Sequence, residues 1–514
     1  MKNNLKKTLL ASILSTVYPV IATAGAFEYG ADMVQLSDSE MSEEVGQALI
    51  SMAYTPPTGT GIGATTTDYG YYKLGLEAKM ELNLNVRSLQ LGCGGRNGPG
   101  ACDIDIENLS LSGPADGKIV GGPNNGEPTW SVERPNTSAV LTNPFVEFAI
   151  KNPDTAATRE VVGFRMSAED ILGYLSAGTV NDKDVNGFST GGGINTFSGF
   201  LKVAQTPVNS VSQQAIFGTR ADQAIYGDVD IALVGSKTAH TNVAGMASSA
   251  PPGGNANIFT YNGNPIWGIN VPSQTVSFNF PETIVTGNRM SQLNLVVQDV
   301  PVGADIAGDS DNLKRIAIGR DSGGINLTLD SNALTASSST FFMGANNASG
   351  TFAACSSTYS EANCSYITNL KANVQVKQNF NLIHNLPISS GGYLSLQKQA
   401  LRWPGTDVAD IAQPGWWMSF KDPLDFGELN PTSQIPMDDV LPQIATFITN
   451  YLSNNTISVG LWDALGALFG VPLYKGLGDI VLAPDARAVM VLENLLLDGN
   501  QKPVSNCYGG LKFC

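Results

Sequence analysis

The chain runs to 514 residues with 29 basic against 45 acidic side chains, a formal net charge of -16 that argues against nucleic acid as a partner. Only 14% of its residues are charged, against roughly 25% in ordinary soluble domains, while 55 are glycine. Such a composition is that of an exported β-protein and argues against a cytosolic enzyme.

The chain opens as a secretory address would. Lys2, Lys6 and Lys7 form a positive n-region, Thr8 to Val20 an apolar h-region, and Ala22 and Ala24 a small-residue cleavage point, so residues 1–24 read as a signal peptide. Its removal takes three lysines and leaves 26 basic residues against 45 acidic ones, a net charge of -19. Three regions are then expected: a disulfide-clamped β region over 25–125, a β region rich in Gly and Asn over 126–370, and a mixed β/α region over 371–514.

Between residues 73 and 87, Leu74, Leu76, Ala78, Met80, Leu82, Leu84 and Val86 alternate with polar residues, which predicts one long strand with a buried apolar face. The phase slips at Ser88 and resumes at Leu89 and Leu91, as a β-bulge would produce. Gly94 to Gly100 then form a loop between Cys93 and Cys102, followed by Ile104, Ile106, Leu109 and Leu111, so a disulfide-clamped hairpin is expected. Further on, Ser167 to Asp170 resemble a helix N-terminus ahead of Ile171, Leu172, Tyr174 and Leu175.

Asp182, Asp184 and Asn186 with Gly187 fit the oxygen-rich opening of a calcium loop, but position twelve falls on Gly193 instead of glutamate. The segment therefore reads either as an acidic solvated turn or as a structural Ca²⁺ site, and it is the one cofactor the sequence suggests. Gly187-Phe188-Ser189-Thr190-Gly191 is a literal nucleophile-elbow match without the apolar strand before it or the helix after it, so no catalytic serine is expected.

Strand alternation recurs at Val276, Phe278 and Phe280, at Leu293, Leu295 and Val297, at Ile325, Leu327 and Leu329, and from Ala372 to Leu382. Turn-rich segments such as 249–257 and 346–350 punctuate these runs. The fold class is accordingly mainly β, with long antiparallel strands in a sandwich, an open barrel or a solenoid-like sheet, and a few helices in the C-terminal third. Trp403, Trp416 and Trp417, near Phe420, read as packing residues, or alternatively as a surface for stacking on sugars or meeting a membrane interface. Asp438 to Leu452 carries the strongest helical spacing, with Pro442 early enough for the first turn, and 459–469 continues as a second helix. The most apolar late stretch, Ala464 to Tyr474, is too short to span a bilayer.

Two short segments echo one another: Glu107-Asn108-Leu109-Ser110-Leu111-Ser112-Gly113 and Glu493-Asn494-Leu495-Leu496-Leu497-Asp498-Gly499. They are either chance similarity of two strand ends or equivalent elements, neighbours in one sheet. The six cysteines fall in three close pairs, Cys93 with Cys102, Cys355 with Cys364, and Cys507 with Cys514, which in an exported chain predicts three local disulfides. Each would contribute roughly 2.5–3 kcal/mol on the chain-entropy model. His240 and His384 are remote in sequence from every pair and lack an H-E-x-x-H context, so no zinc site is expected.

Leu36 to Ile50, the block from Trp403 to Phe420 and the Cys507–Cys514 pair resemble exported proteins of gammaproteobacteria, some of them similar to Fil-type pilus-associated proteins of Acinetobacter. The resembling motifs cover about a quarter of the chain and bring no catalytic residues. The resemblance implies a cell-surface, fimbrial or outer-membrane location, with periplasm as the alternative. The expected partners are other surface or pilus subunits, or a host or abiotic surface, with some peripheral membrane contact. The resulting expectation is a secreted surface or pilus-associated structural or adhesion protein without catalytic activity. Its alternative is an envelope protein binding lipid or another apolar ligand, prompted by the apolar 461–474 region and the aromatic block.

Overall fold

The computed structural model describes residues 49–57, 69–94, 98, 100–113, 137–217, 220–241, 259–261, 264–266, 269–309, 313–318, 326–328, 341–344, 356, 364–426, 431, 433–469, 475–497, 501 and 503. Among the described residues the fold is mainly β, 55% strand and 9% helical, with a large mixed sheet and its α-helices in the C-terminal third. The signal peptide expected over 1–24, Cys355, Cys507 and Cys514, and the turn-rich segments 249–257 and 346–350 lie outside the described residues.

Among the described residues the large sheet has twelve strands. Its principal members are β1 (Ile50–Thr55), β2 (Tyr69–Leu76), β3 (Lys79–Leu82), β4 (Leu84–Leu91), β5 (Ile104–Ser112), β6 (Ala139–Lys151), β7 (Glu160–Ser176) and β8 (Ile194–Val203). A second sheet joins β9 (Gln292–Pro301) to β10 (Lys371–Asn379), while β11 (Gly392–Gln397) and β12 (Gly415–Phe420) return to the first. β10 also pairs in parallel with β13 (Arg487–Glu493). Strand pairings close a circuit β7–β11–β12–β8–β5–β7, so strands far apart in sequence share one sheet. From Ile50 onward the chain is one compact unit in which strands from all three regions of the sequence interleave.

The expected single strand over 73–87 is instead three. β2 and β3 both pair with β6, and β4 leaves to form the hairpin with β5 that the Cys93–Cys102 disulfide clamps. No residue is inserted near Ser88: the β4–β5 register runs without a shift from Leu84↔Leu111 to Leu91↔Ile104. The irregularity sits on the partner strand, where Asn108 adopts φ 54° opposite that point. Cys364 is buried and disulfide-bonded.

The helix expected from Ser167 is also replaced, by the 17-residue strand β7. The residues that resembled a cap and an acidic first turn serve cross-strand contacts instead. Ser167 Oγ donates to the Gly392 carbonyl at 2.8 Å, and Glu169 accepts from Lys73 at 2.8 Å. A run of backbone partners on β6 outweighs a local preference worth only tenths of a kcal/mol per residue.

The C-terminal helices match the expected periodicity. α1 (Leu441–Asn454) buries Leu441, Ile444, Ala445, Ile448 and Leu452, with proline in its first turn, and α2 (Leu461–Leu468) follows. The main core joins α1 to apolar side chains of β5, β8, β9, β10 and β13.

The two echo segments are not sheet neighbours, since β5 lies in the large sheet and β13 in the sheet of β9 and β10. They are nevertheless alike in conformation: Asn108 and Asn494 both take positive φ, 54° and 49°. Both also hold the same loop. Asn108 Nδ2 donates to the Gly191 carbonyl at 3.1 Å, and the Asn494 carbonyl accepts from Lys183 Nζ at 2.5 Å.

Candidate functional site: a polar cavity on the large sheet

Because side chains alternate across a strand, register alone assigns residues of β2, β6, β7, β11 and β12 to two faces. On one face Lys73 lies opposite Glu147, Glu147 opposite Arg165, Arg165 opposite Ser395, and Ser395 opposite Trp417. The next row contains Phe145, Ser167, Tyr393 and Ser419. The other face carries the row Met52, Leu74, Val146, Met166, Leu394 and Met418, and beside it Tyr54, Tyr72, Phe148, Phe164, Leu396 and Trp416.

In β2 the polarity is the reverse of what the alternation predicted, whereas in β4 Val86, Leu89 and Leu91 pack against the main core as expected. Leu74, Leu76, Met80 and Leu84, expected to face the core, are exposed, whereas Glu147 and Arg165 are buried. The segment between β11 and β12 accounts for the inversion. It places Trp403 and Asp410, both 1% exposed, over the polar row, with Leu401 and Ala412 bridged across its base. A chain segment covers the polar rows, while the apolar rows stay open over β1, β2, β6 and β7 and at Leu396, and their far end at Leu394, Trp416 and Met418 packs against the main core.

Between this segment and the sheet lies a cavity of about 520 Å³. Its floor is a hydrogen-bonded network. Arg165 Nε donates to Glu147 at 2.5 Å and Nη2 to the Pro404 carbonyl at 2.8 Å. The guanidinium sits 5.3, 5.4 and 5.2 Å from the ring centroids of Phe145, Tyr393 and Trp403, within cation–π range. Asp410 accepts from Tyr393 OH at 2.7 Å, Ser419 Oγ at 2.5 Å and Trp417 Nε1 at 3.1 Å. Tyr71 OH donates to the Arg402 carbonyl at 2.9 Å and so ties the covering segment to β2.

Burial sets the electrostatics. It pushes the Glu147 carboxyl up against the opposing pull of Arg165, and pushes Asp410 up against its three donors. Tyr393 is raised well above the ordinary phenol value by burial and by the Asp410 charge, and Tyr71 is pushed up to about 12 by burial and by Glu147. At the rim the direction reverses. Hydrogen bonds from Lys73 and Asn143 lower Glu169, and Lys202, 2.7 Å from Asp407, lowers Asp407.

The cavity falls within the roughly 300–1,000 Å³ typical of small-molecule sites. Its lining mixes the cations Lys73, Arg165 and Lys421 with the acids Glu147, Glu169, Asp407 and Asp410, and includes Phe145 and Phe420 as apolar wall. Each buried carboxylate is already held by donors of the protein. The floor is therefore a preorganised set of fixed charges and hydroxyls.

The structure brings two of the three singled-out tryptophans to this site, as framework. Trp403 stacks behind Arg165, and Trp417 donates to Asp410, each 1% exposed; Trp416 is half-buried on the opposite face. Asp182, Asp184 and Asn186 form a separate tight turn. There Asp184 Oδ1 accepts the N–H groups of Asn186 and Phe188, both at 2.9 Å, and these bonds lower its pKa. Asp182 accepts from its neighbour Lys183 at 2.8 Å. Among the described residues no group of three or more His, Cys, Asp or Glu side chains is placed to hold a metal. Ser189 Oγ accepts from the Gly191 N–H, and His384 is a buried histidine whose Nδ1 lies 3.0 Å from the Ala177 carbonyl.

Sequence reasoning missed Glu147, Arg165, Tyr393 and Asp410. A signal was present: each charged residue is flanked by large apolar ones, Glu147 between Val146 and Phe148, and Arg165 between Phe164 and Met166. Comparison with protein-family models, with curated proteins and with solved structures returned no match.

Proposed function

We propose that this chain is an exported, non-catalytic protein of the cell surface or of a pilus, structural or adhesive in role, whose recognition element is the polar cavity beneath residues 398–414. The observation that carries this reading is the cavity floor, where the buried charges are paired and oriented before any ligand arrives, as binding sites on rigid scaffolds require. The acidic surface, the secretory-type N-terminus and the Cys93–Cys102 clamp support export, and the large sheet supplies the rigidity. Partners on this reading are other surface subunits or a host or abiotic surface.

The test combines labelling with adherence. Antibody should label intact producing cells, and Lys421→Glu, an exposed change in the cavity lining, should lower adherence about tenfold without lowering the amount exported. A strictly periplasmic protein, or undiminished adherence, counts against the proposal.

A second reading, an envelope protein binding lipid or another apolar ligand at the outer membrane, is favoured by the exposed apolar rows. An internal apolar cavity gives it less support: the one lined by Val203, Phe280, Leu293 and Phe426 holds only about 30 Å³, too little for an acyl chain.

A further inference from the structure

The apolar face of the large sheet is open over β1, β2, β6 and β7, on the side away from the cavity. Antiparallel sheets with one wet face ordinarily turn the polar residues outward. Here Met52 stands 83% exposed, and nine large apolar side chains from the two outer rows and the Ile50–Leu76 pair exceed a third. At roughly 150–250 Å² for a large side chain these leave on the order of 800 Å² open, most of it apolar. That exceeds the roughly 300–600 Å² of the largest patch on a typical monomer. It equals the roughly 800 Å² that each partner gives to a standard stable interface.

We infer that this face is covered by the same face of a second copy of the chain, the two sheets stacking across a two-fold axis like the halves of a sandwich. Such an isologous contact needs a self-complementary patch. A sheet face whose rows carry no charged residue meets that condition, and two sheets stack naturally about 10 Å apart with their strands within about 30° of parallel.

Charge argues against a lipid leaflet. The chain carries -16 overall, and at the margin Lys398 is already paired with Glu160 at 2.7 Å, so the basic collar that would hold the face to anionic headgroups is not supplied there. The same net charge makes two copies repel at long range, and salt screens that repulsion beyond about 8 Å at physiological ionic strength. Dimerisation through this face therefore strengthens as salt is added, the opposite of a charge-steered association.

Sedimentation of the full chain across a concentration series at low and high salt tests this. The expected result is a species of twice 54.1 kDa whose population rises with salt. Met52→Glu with Leu74→Glu should weaken it at least about 100-fold with an unchanged circular dichroism spectrum, since both side chains are exposed in the single chain. Lys421→Glu, on the cavity side, should leave it intact. A wild-type chain that stays monomeric at about 100 µM overturns the inference. So does a dimer that survives the double substitution, or a monomer that co-sediments with phosphatidylcholine vesicles.

Discussion

Lys73 and Leu74 are adjacent in β2, yet they point into different worlds. Lys73 joins the row that runs through Glu147 and Arg165 beneath the covering segment, while Leu74 joins an apolar row open to the outside. Both faces come from one pleat and one alternation, so the difference between them is not made in the strands. The 398–414 segment makes it, by bringing Trp403 and Asp410 over one face, while the other stays exposed at Met52, Leu74 and Met166. Period-two patterning distributes side chains between two faces; what packs on a face decides whether it is interior.

The sharpest way to break the comparison is on the covered face. Arg165→Met leaves Glu147, only 2% exposed, as an unpaired buried charge, and should cost about 3–5 kcal/mol in denaturant unfolding. Pairing it with Glu147→Met should restore most of that loss, which separates the cost of an orphaned charge from any cost of altered packing. Replacing Cys93 and Cys102 together by serine tests the hairpin that borders the sheet, and should cost about 2–3 kcal/mol.

A pH series sharpens the contrast between floor and rim. Burial holds the folded-state pKa of Asp410 above its unfolded value, so folding favours the protonated form. The stability this contributes is complete below the unfolded value and is lost as pH rises through the folded one. Asp410→Asn should therefore remove a component that declines from the ordinary carboxylate range upward, seen as a shallower fall of unfolding free energy with pH. Asp407, lowered by Lys202, works in the other direction: its contribution is present above the unfolded value and disappears as pH drops through the folded one. Asp407→Asn should lower stability at neutral pH slightly and flatten the acid limb. A wild-type acid limb identical to that of either variant would remove the assignment for that residue. The smallest effect belongs to the open face, where Leu74→Ser should change the stability of the single chain by no more than about 0.5 kcal/mol.

Much of the local structure was legible. The alternation in residues 276–280, the ten-residue Cys93–Cys102 clamp and the 3.6-residue spacing of α1 each report an interaction completed within a few residues or across one hairpin. The β7 segment misled for the converse reason. Ile171, Leu172, Tyr174 and Leu175 suit a helix as well as a strand enclosed by neighbours, and the choice fell to β6, β11 and the strand at Asn385–Ile388. The cavity was the least legible part. Its residues come from six strands and the 398–414 segment, and the contact from Arg165 to the Pro404 carbonyl spans 239 residues.

By itself, then, the sequence determined that this is an acidic, strand-rich chain with at least one local sulfur clamp and a helical element near its end, because composition and short-range periodicity act on neighbouring residues. Only the tertiary structure decided which face of each strand is interior, that β7 is not a helix, and that Glu147, Arg165, Tyr393 and Asp410 meet in one place. Those outcomes depend on which distant segment arrives to displace water from a given surface, and hydrophobic burial, being non-directional, leaves no mark of that arrival in any single stretch of residues.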